Sequence, residues 1–138
     1  MDTRHLLDTN VVLFFLIERD ELSLRVRNIT EDYNNVFYVS MISVVEMTHL
    51  VKAGKFRKKW KSPEEIMPAL AEANFILLPI KPEHLDAYAR LQATQGHNDP
   101  FDHIIISQAI AERIPLISSD HKFEDYVNQK LTLIFNER

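Results

Sequence analysis

Residues 98–120, NDPFDHIIISQAIAERIPLISSD, hold the alternation on which the fold rests: a capped helical segment, a short apolar run, then an acid. Asp99 and Pro100 suit the N-cap and first helical position, which predicts a helix over residues 99–113. Pro115–Ser118 follows as a strand, and Asp120 lies just past its end. Asp102 is out of place in this helix. Its neighbours three, four and seven positions on are Ile105, Ile106 and Ala109, so it points the way of a core stripe. An acid in such a place is costly unless something positive meets it.

The same alternation runs outward through the chain. Further strand candidates are His5–Asp8, Val36–Ser40, Phe75–Pro79 and Leu131–Phe135. Between them, helices are expected at about residues 10–18, 23–32, 41–53, 62–73 and 82–94. Ser62, Pro63 and Glu65 form a capping pattern, and Gly54 suits the position just after a helix end. Near-continuous apolar strands alternating with helices predict an α/β fold, a mostly parallel sheet of about five strands covered on both faces. With no linker or repeat visible, residues 1–138 read as one domain.

Composition sets limits. The 46% hydrophobic and 26% charged residues are those of a globular chain. There is no cysteine, hence no disulfide framework and no thiolate chemistry. The longest apolar run, Val11–Ile17, falls far short of the ~20 residues that span a bilayer, and MDTRHLLDTN has no leader pattern. No membrane association and a cytoplasmic location are expected. A net charge of −4 means that any nucleic-acid contact must come from a local basic patch.

In parallel sheets, ligands bind beyond the carboxyl ends of the strands, where the strand order reverses. Asp8 ends the first strand and Asp120 follows the fourth. Glu46 lies mid-helix with Ile42, Leu50 and Ala53 on its own face. With Asp102 this makes four acids directed at one end of the sheet. Gathered carboxylates repel one another, and Mg²⁺ or Mn²⁺ relieves that by taking oxygen ligands. The chemistry then open is metal-assisted attack of water on a phosphodiester. Local roles are open beside this one: Asp102 as a helix-start acid, Asp8 as an N-cap, Asp120 as the cap of a short turn at HKFEDY.

The segments LLDTNVVLFFL (6–16), YVSMISVVEM (38–47) and NDPFDHIIISQAIAERIPLISSD, in that order, resemble PIN-domain proteins, and more narrowly the VapC-type toxins of toxin–antitoxin pairs. The resemblance implies an α/β/α sandwich and a Mg²⁺- or Mn²⁺-dependent endoribonuclease, with RNA as substrate, an antitoxin protein as partner and a homodimer as assembly. It maps the acidic pocket onto Asp8, Glu46, Asp102 and Asp120, with Asn10, Ser43 and Ser118 as supporting polar residues and Asp99 as an additional acid. On this reading Asp8, Asp102 and Asp120 hold the metal, Glu46 orients or deprotonates the attacking water, and Ser118 and Asn10 hold carboxylates or waters. Two positions depart from the family's pattern: His103 stands where relatives often have Arg, and Asn10 where they often have His.

Other features point to partners. KAGKFRKKWK (52–61) carries six basic residues in ten, and Lys55, Arg57, Lys58 and Lys59 suit contact with RNA or an acidic partner. Trp60 reads as the loop's anchor in the core. Helix 10–18 is apolar all round, which calls for burial or for a partner surface at Phe14 and Phe15. The six histidines show no zinc-type spacing, and His103 and His121 read as structural or solvent-facing. Two other readings remain. One is an aspartate phosphatase or receiver-like domain phosphorylated at Asp8, although Asn10 replaces the second acid such phosphatases use. The other is an inactive PIN-fold binding module.

Overall fold

The computed structural model describes residues 3–138. Met1 and Asp2, which open the stretch read for a leader, lie outside the described residues. Five strands, β1 (Arg4–Leu7), β2 (Val36–Ser40), β3 (Ile76–Leu78), β4 (Leu116–Ser118) and β5 (Leu133–Phe135), form one sheet in the order β3-β2-β1-β4-β5. Every pairing is parallel. The expected parallel sheet is thus the observed one, and each expected strand is present with its ends within two residues.

Among the described residues six α-helices cover the sheet: α1 (Thr9–Ile17), α2 (Leu24–Glu31), α3 (Met41–Lys52), α4 (Ile66–Glu72), α5 (Pro82–Arg90) and α6 (Pro100–Glu112). Successive strand residues point to opposite faces. Leu7, Val39 and Ile117 therefore pack with Val11, Val26, Met47, Trp60 and Ile66 on one side. Leu6 and Leu116 pack with Ile105, Ile106, Phe123 and Tyr126 on the other. Two apolar layers on one sheet make the α/β/α sandwich. No helix among the described residues is long and apolar enough to cross a membrane.

Local chemistry sets the helix ends. Ser40 caps α3 by accepting from the Ile42 N–H at 3.0 Å. At its far end Gly54 takes φ +92°, with Gly54 N–H bonded to Val51 O and Lys55 N–H to Leu50 O. This pair of bonds closes the last turn and favours glycine, which has no Cβ to strain at positive φ. The helix expected over 62–73 opens as a 3₁₀ turn, Pro63–Glu65, because Glu65 reaches back to the N–H groups of Lys61 and Ser62 at 2.6 and 2.9 Å. The turn expected at HKFEDY is a longer 3₁₀ helix, His121–Gln129, with Phe123 and Tyr126 buried beneath it.

One departure bears on the site. Helix α5 stops at Arg90 rather than 94. The residues after it bind elsewhere: Gln92 N–H to Gln129 Oε1 at 2.9 Å, and Thr94 N–H to the Tyr126 hydroxyl at 3.1 Å. These contacts pull residues 91–99 across to the His121–Gln129 helix, tertiary bonding overriding local helix propensity.

Candidate active site

Strand β1 lies between β2 and β4, so the strand order reverses at β1 and β4. Leu7 pairs with Ile117, and the next residues, Asp8 and Ser118, meet just above the sheet. Asp8 N–H donates to Ile117 O at 2.9 Å, and the Ser118 hydroxyl donates to Asp8 Oδ2 at 3.0 Å. The other carboxylate oxygen, Oδ1, accepts from the Thr9 N–H at 2.8 Å, so Asp8 caps α1 as well. Only 4% of Asp8 is exposed.

Three further acids approach from the helices and the end of β4. Glu46 comes from α3. The Thr9 hydroxyl lies 2.7 Å from Glu46 Oε1 and 2.8 Å from Ser43 Oγ. A carboxylate only accepts, so the Thr9 proton turns to Glu46. Asp102 comes from the first turn of α6, and its Oδ2 lies 3.0 Å from His97 Nε2. Asp120 caps the 3₁₀ helix by accepting from Lys122 N–H at 2.9 Å, while its own N–H donates to Ser118 Oγ at 3.1 Å. Asp99 caps α6 through Phe101 N–H at 2.9 Å. The capping roles open in the sequence thus coexist with convergence on one end of the sheet.

Electrostatics expresses that convergence. Burial pushes the Asp8 carboxyl up to about 7, with the Asp102 and Glu46 charges adding to the rise and the bonds from Ser118 and Thr9 opposing it. Glu46 is raised, first by burial, against its bond from Thr9 and with repulsion from Asp102 and Asp99. Asp102 is also raised, first by burial, with His97 opposing and Asp99 and Asp120 repelling. The acids thus raise one another, and His97 opposes the rise at Asp102.

The donor set fits a hard divalent cation: carboxylate oxygens, mutually repelling, with hydroxyls holding them. Among the described residues no three His, Asp or Glu side chains are already gathered into a metal cage. Mg²⁺ commonly keeps several waters and takes one or two carboxylates, so the donor chemistry does not require such a cage.

The other residues singled out in the sequence fall as follows. Ser43 and Ser118 are buried at the pocket. Asn10 is exposed on α1 and forms no side-chain hydrogen bond with the described residues. Lys55, Arg57, Lys58 and Lys59 are exposed beyond the end of α3. Trp60 is 3% exposed and packs edge-on against Phe56 in the core. His103 is buried, donating through Nε2 to His97 O at 2.9 Å; His121 is exposed and stacks on Phe135. Sequence reasoning passed over Thr9 and His97. Thr9 sits beside an acid in a helix start, a signal open to reading; His97 lies in an irregular segment with no periodicity to mark it.

A family model of the PIN domain matches residues 5–128, and the chain belongs to the PIN-domain family. Among solved structures it is similar to VapBC2 from Rickettsia felis bound to a DNA fragment from its promoter, at 20% identity and TM-score 0.70, covering 97% of this chain and 99% of that one. It is also similar to VapBC-1 from nontypeable Haemophilus influenzae, at 19% identity and TM-score 0.69, covering 96% and 97%. A third is VapBC-5 from Mycobacterium tuberculosis, described as a member of the VapBC family of toxin–antitoxin systems, at 17% identity and TM-score 0.69, covering 99% and 100%. At these identities the likeness is one of fold. A search of curated proteins returned no match.

Proposed function

We propose that this chain is a divalent-cation-dependent endoribonuclease of the VapC type, the toxin of a toxin–antitoxin pair, with residues 1–138 acting as one nuclease unit. The observation that carries the reading is the gathering of Asp8, Glu46, Asp102 and Asp120 at the strand-order reversal, where each of the first three is raised by burial and by another pocket acid. Asp8, Asp102 and Asp120 would hold Mg²⁺ or Mn²⁺, directly or through water. When bound, the cation supplies Lewis acidity for water activation and for phosphoryl charge. Glu46, with its raised proton affinity, takes a proton from the attacking water; Thr9 holds its Oε1 in place. Ser118 fixes the Asp8 carboxylate.

Lys55, Arg57, Lys58 and Lys59 supply phosphate contacts for an RNA strand. The antitoxin is assigned to the partly buried end of α1, where Phe15 and Leu16 with Ala69 and Ala73 line a groove of 380 Å³; the neighbours described as toxin–antitoxin proteins support a partner of that kind. Exposed Met41 and Val45 on α3, and Leu85 and Tyr88 on α5, are the surfaces proposed for a homodimer. The phosphatase and receiver readings are less well supported, because Asn10, exposed on α1, stands where such phosphatases carry the second acid.

The test is cleavage of RNA with Mg²⁺ or Mn²⁺, repeated with EDTA and with Asp8→Asn and Asp102→Asn. Cleavage is expected to need the metal and both acids. Activity that survives EDTA or either substitution overturns the reading, and labelling of Asp8 by a phosphodonor would favour the phosphatase instead.

A further inference from the structure

The buried side chains behind Asp102 form a wired set. His97 is 2% exposed and Tyr126 is 0% exposed. His97 Nδ1 lies 3.0 Å from the Tyr126 hydroxyl, and its Nε2 lies 3.0 Å from Asp102 Oδ2. Phe123 and His103 close the ring in at centroid distances of 5.8 and 4.9 Å.

The protons in this set can be placed. His103 Nε2 lies 2.9 Å from His97 O, a pure acceptor, so it carries a hydrogen; the same N–H lies 3.2 Å from the Tyr126 oxygen. Thr94 N–H donates to that oxygen at 3.1 Å. The Thr94 N–H thus occupies one acceptor site of the tyrosine hydroxyl, and the His103 N–H, given chiefly to His97 O, crowds the other. Its own proton is left to turn to His97 Nδ1, the nearer remaining acceptor, since Thr94 Oγ1 is at 3.4 Å. With Nδ1 accepting, the imidazole hydrogen sits on Nε2 and is donated to Asp102. The donors from Thr94 through Tyr126 and His97 run one way, to a single carboxylate oxygen. Asp102 Oδ1 carries no hydrogen bond from the described residues.

We propose that His97 is a positioning residue of the acidic site: its Nε2–H holds Asp102 Oδ2, so that Oδ1 is the oxygen presented to a bound cation or its water, and Tyr126 keeps the imidazole in the tautomer this requires. The inference rests on the metal-site reading of the pocket. Without the tie, Asp102 would turn freely about its side-chain torsions, and ordering it on binding would weaken affinity. Supporting partners of this type are worth about 10–100-fold in metal affinity.

The test measures Mn²⁺ affinity from the electron paramagnetic resonance signal of the free ion. It compares the wild type, Asp102→Asn, His97→Phe, His97→Gln and Tyr126→Phe at one pH, with circular dichroism to check folding. Imidazole ¹⁵N resonances report the His97 tautomer. His97→Phe keeps a ring but no donor and is expected to weaken binding about 10–100-fold. His97→Gln keeps an N–H of similar reach and is expected to recover most of that loss. Tyr126→Phe is expected to lose the single Nε2–H tautomer and to weaken binding several-fold. If the two His97 variants bind equally weakly, the residue serves packing alone and the proposal falls. If His97→Phe binds like the wild type while Asp102→Asn does not, the positioning role is wrong and the site reading stands. If the wild type and Asp102→Asn bind alike, the site reading itself is wrong. Should His97→Phe not fold, Tyr126→Phe decides: wild-type affinity with a mixed tautomer overturns the proposal.

Discussion

Replacing Asp8 with asparagine should stabilise the protein in EDTA at alkaline pH while removing its function. Asp8 is buried, and its carboxyl is raised from an ordinary 3.8 to about 7. A folded value above the unfolded one means that Asp8 favours folding fully below about pH 4, and that this contribution is lost as pH rises through about 7. At pH 8 the ionised group costs about 4 kcal/mol relative to its unfolded state, taken as an upper bound. Asparagine cannot ionise. Its carbonyl can still accept from Thr9 N–H, and its amide can donate to Ser118 Oγ in place of the bond that Ser118 now gives to Asp8. Rearranging that bond takes back about 1–2 kcal/mol, leaving a gain of about 2 kcal/mol at pH 8 and a loss of about 1 kcal/mol at pH 4, where Asp8 is protonated in the fold. For a chain of this length the gain at pH 8 is about 6–10 °C in Tm. The assay is thermal unfolding in EDTA at both pH values, then with Mg²⁺ or Mn²⁺ at pH 8. The cation should raise the wild-type Tm and leave the variant unmoved, because a ligand stabilises only the form that binds it. A variant that is destabilised at pH 8, or changed equally at both pH values, would refute the burial argument for Asp8.

Ser118→Ala removes a bond that holds Asp8 down, so Asp8 should bind its proton more tightly and the rise of cleavage rate with pH should move to higher pH; a pH–rate profile that stays put would count against the role of Ser118. Gly54→Ala forces a Cβ at φ +92°, 2.7 Å from the flexible Arg57 guanidinium, which must move aside. A loss of about 1 kcal/mol in urea unfolding is expected, and an unchanged midpoint would count against strain at this position. Changing Lys55, Arg57, Lys58 and Lys59 together to alanine should weaken RNA binding across sequences and flatten its salt dependence, by about 0.7 in log–log slope for each phosphate no longer neutralised. An unchanged slope would place the RNA path elsewhere.

The elements could be read from the chain because they obey local rules. Near-continuous apolar runs marked the strands, and Ser40 and Gly54 act as the caps their residue types suggest. The strand order could not be read, yet Asp8 and Asp120 could still be placed, since parallel strands all end on one side. Glu46 and Asp102 stood out as acids on apolar faces. What escaped depends on contacts between distant segments. The sequence after Arg90 is compatible with helix, and α5 ends there where Gln92 and Thr94 bond to the His121–Gln129 helix instead. His97 acquires its meaning from Tyr126, which no spacing within residues 91–99 announces. The hydroxyl of Thr9 matters because α3 brings Glu46 and Ser43 to it.

The bond from Ser118 to Asp8 joins positions 110 residues apart. A growing polypeptide emerging from the ribosome therefore cannot complete this constellation until β4 and the turn after it have been translated and have docked beside β1. Any product ending before α6 would keep Asp8 and Glu46 and lack Asp102 and Asp120, so premature termination there leaves half of the acidic constellation unmade.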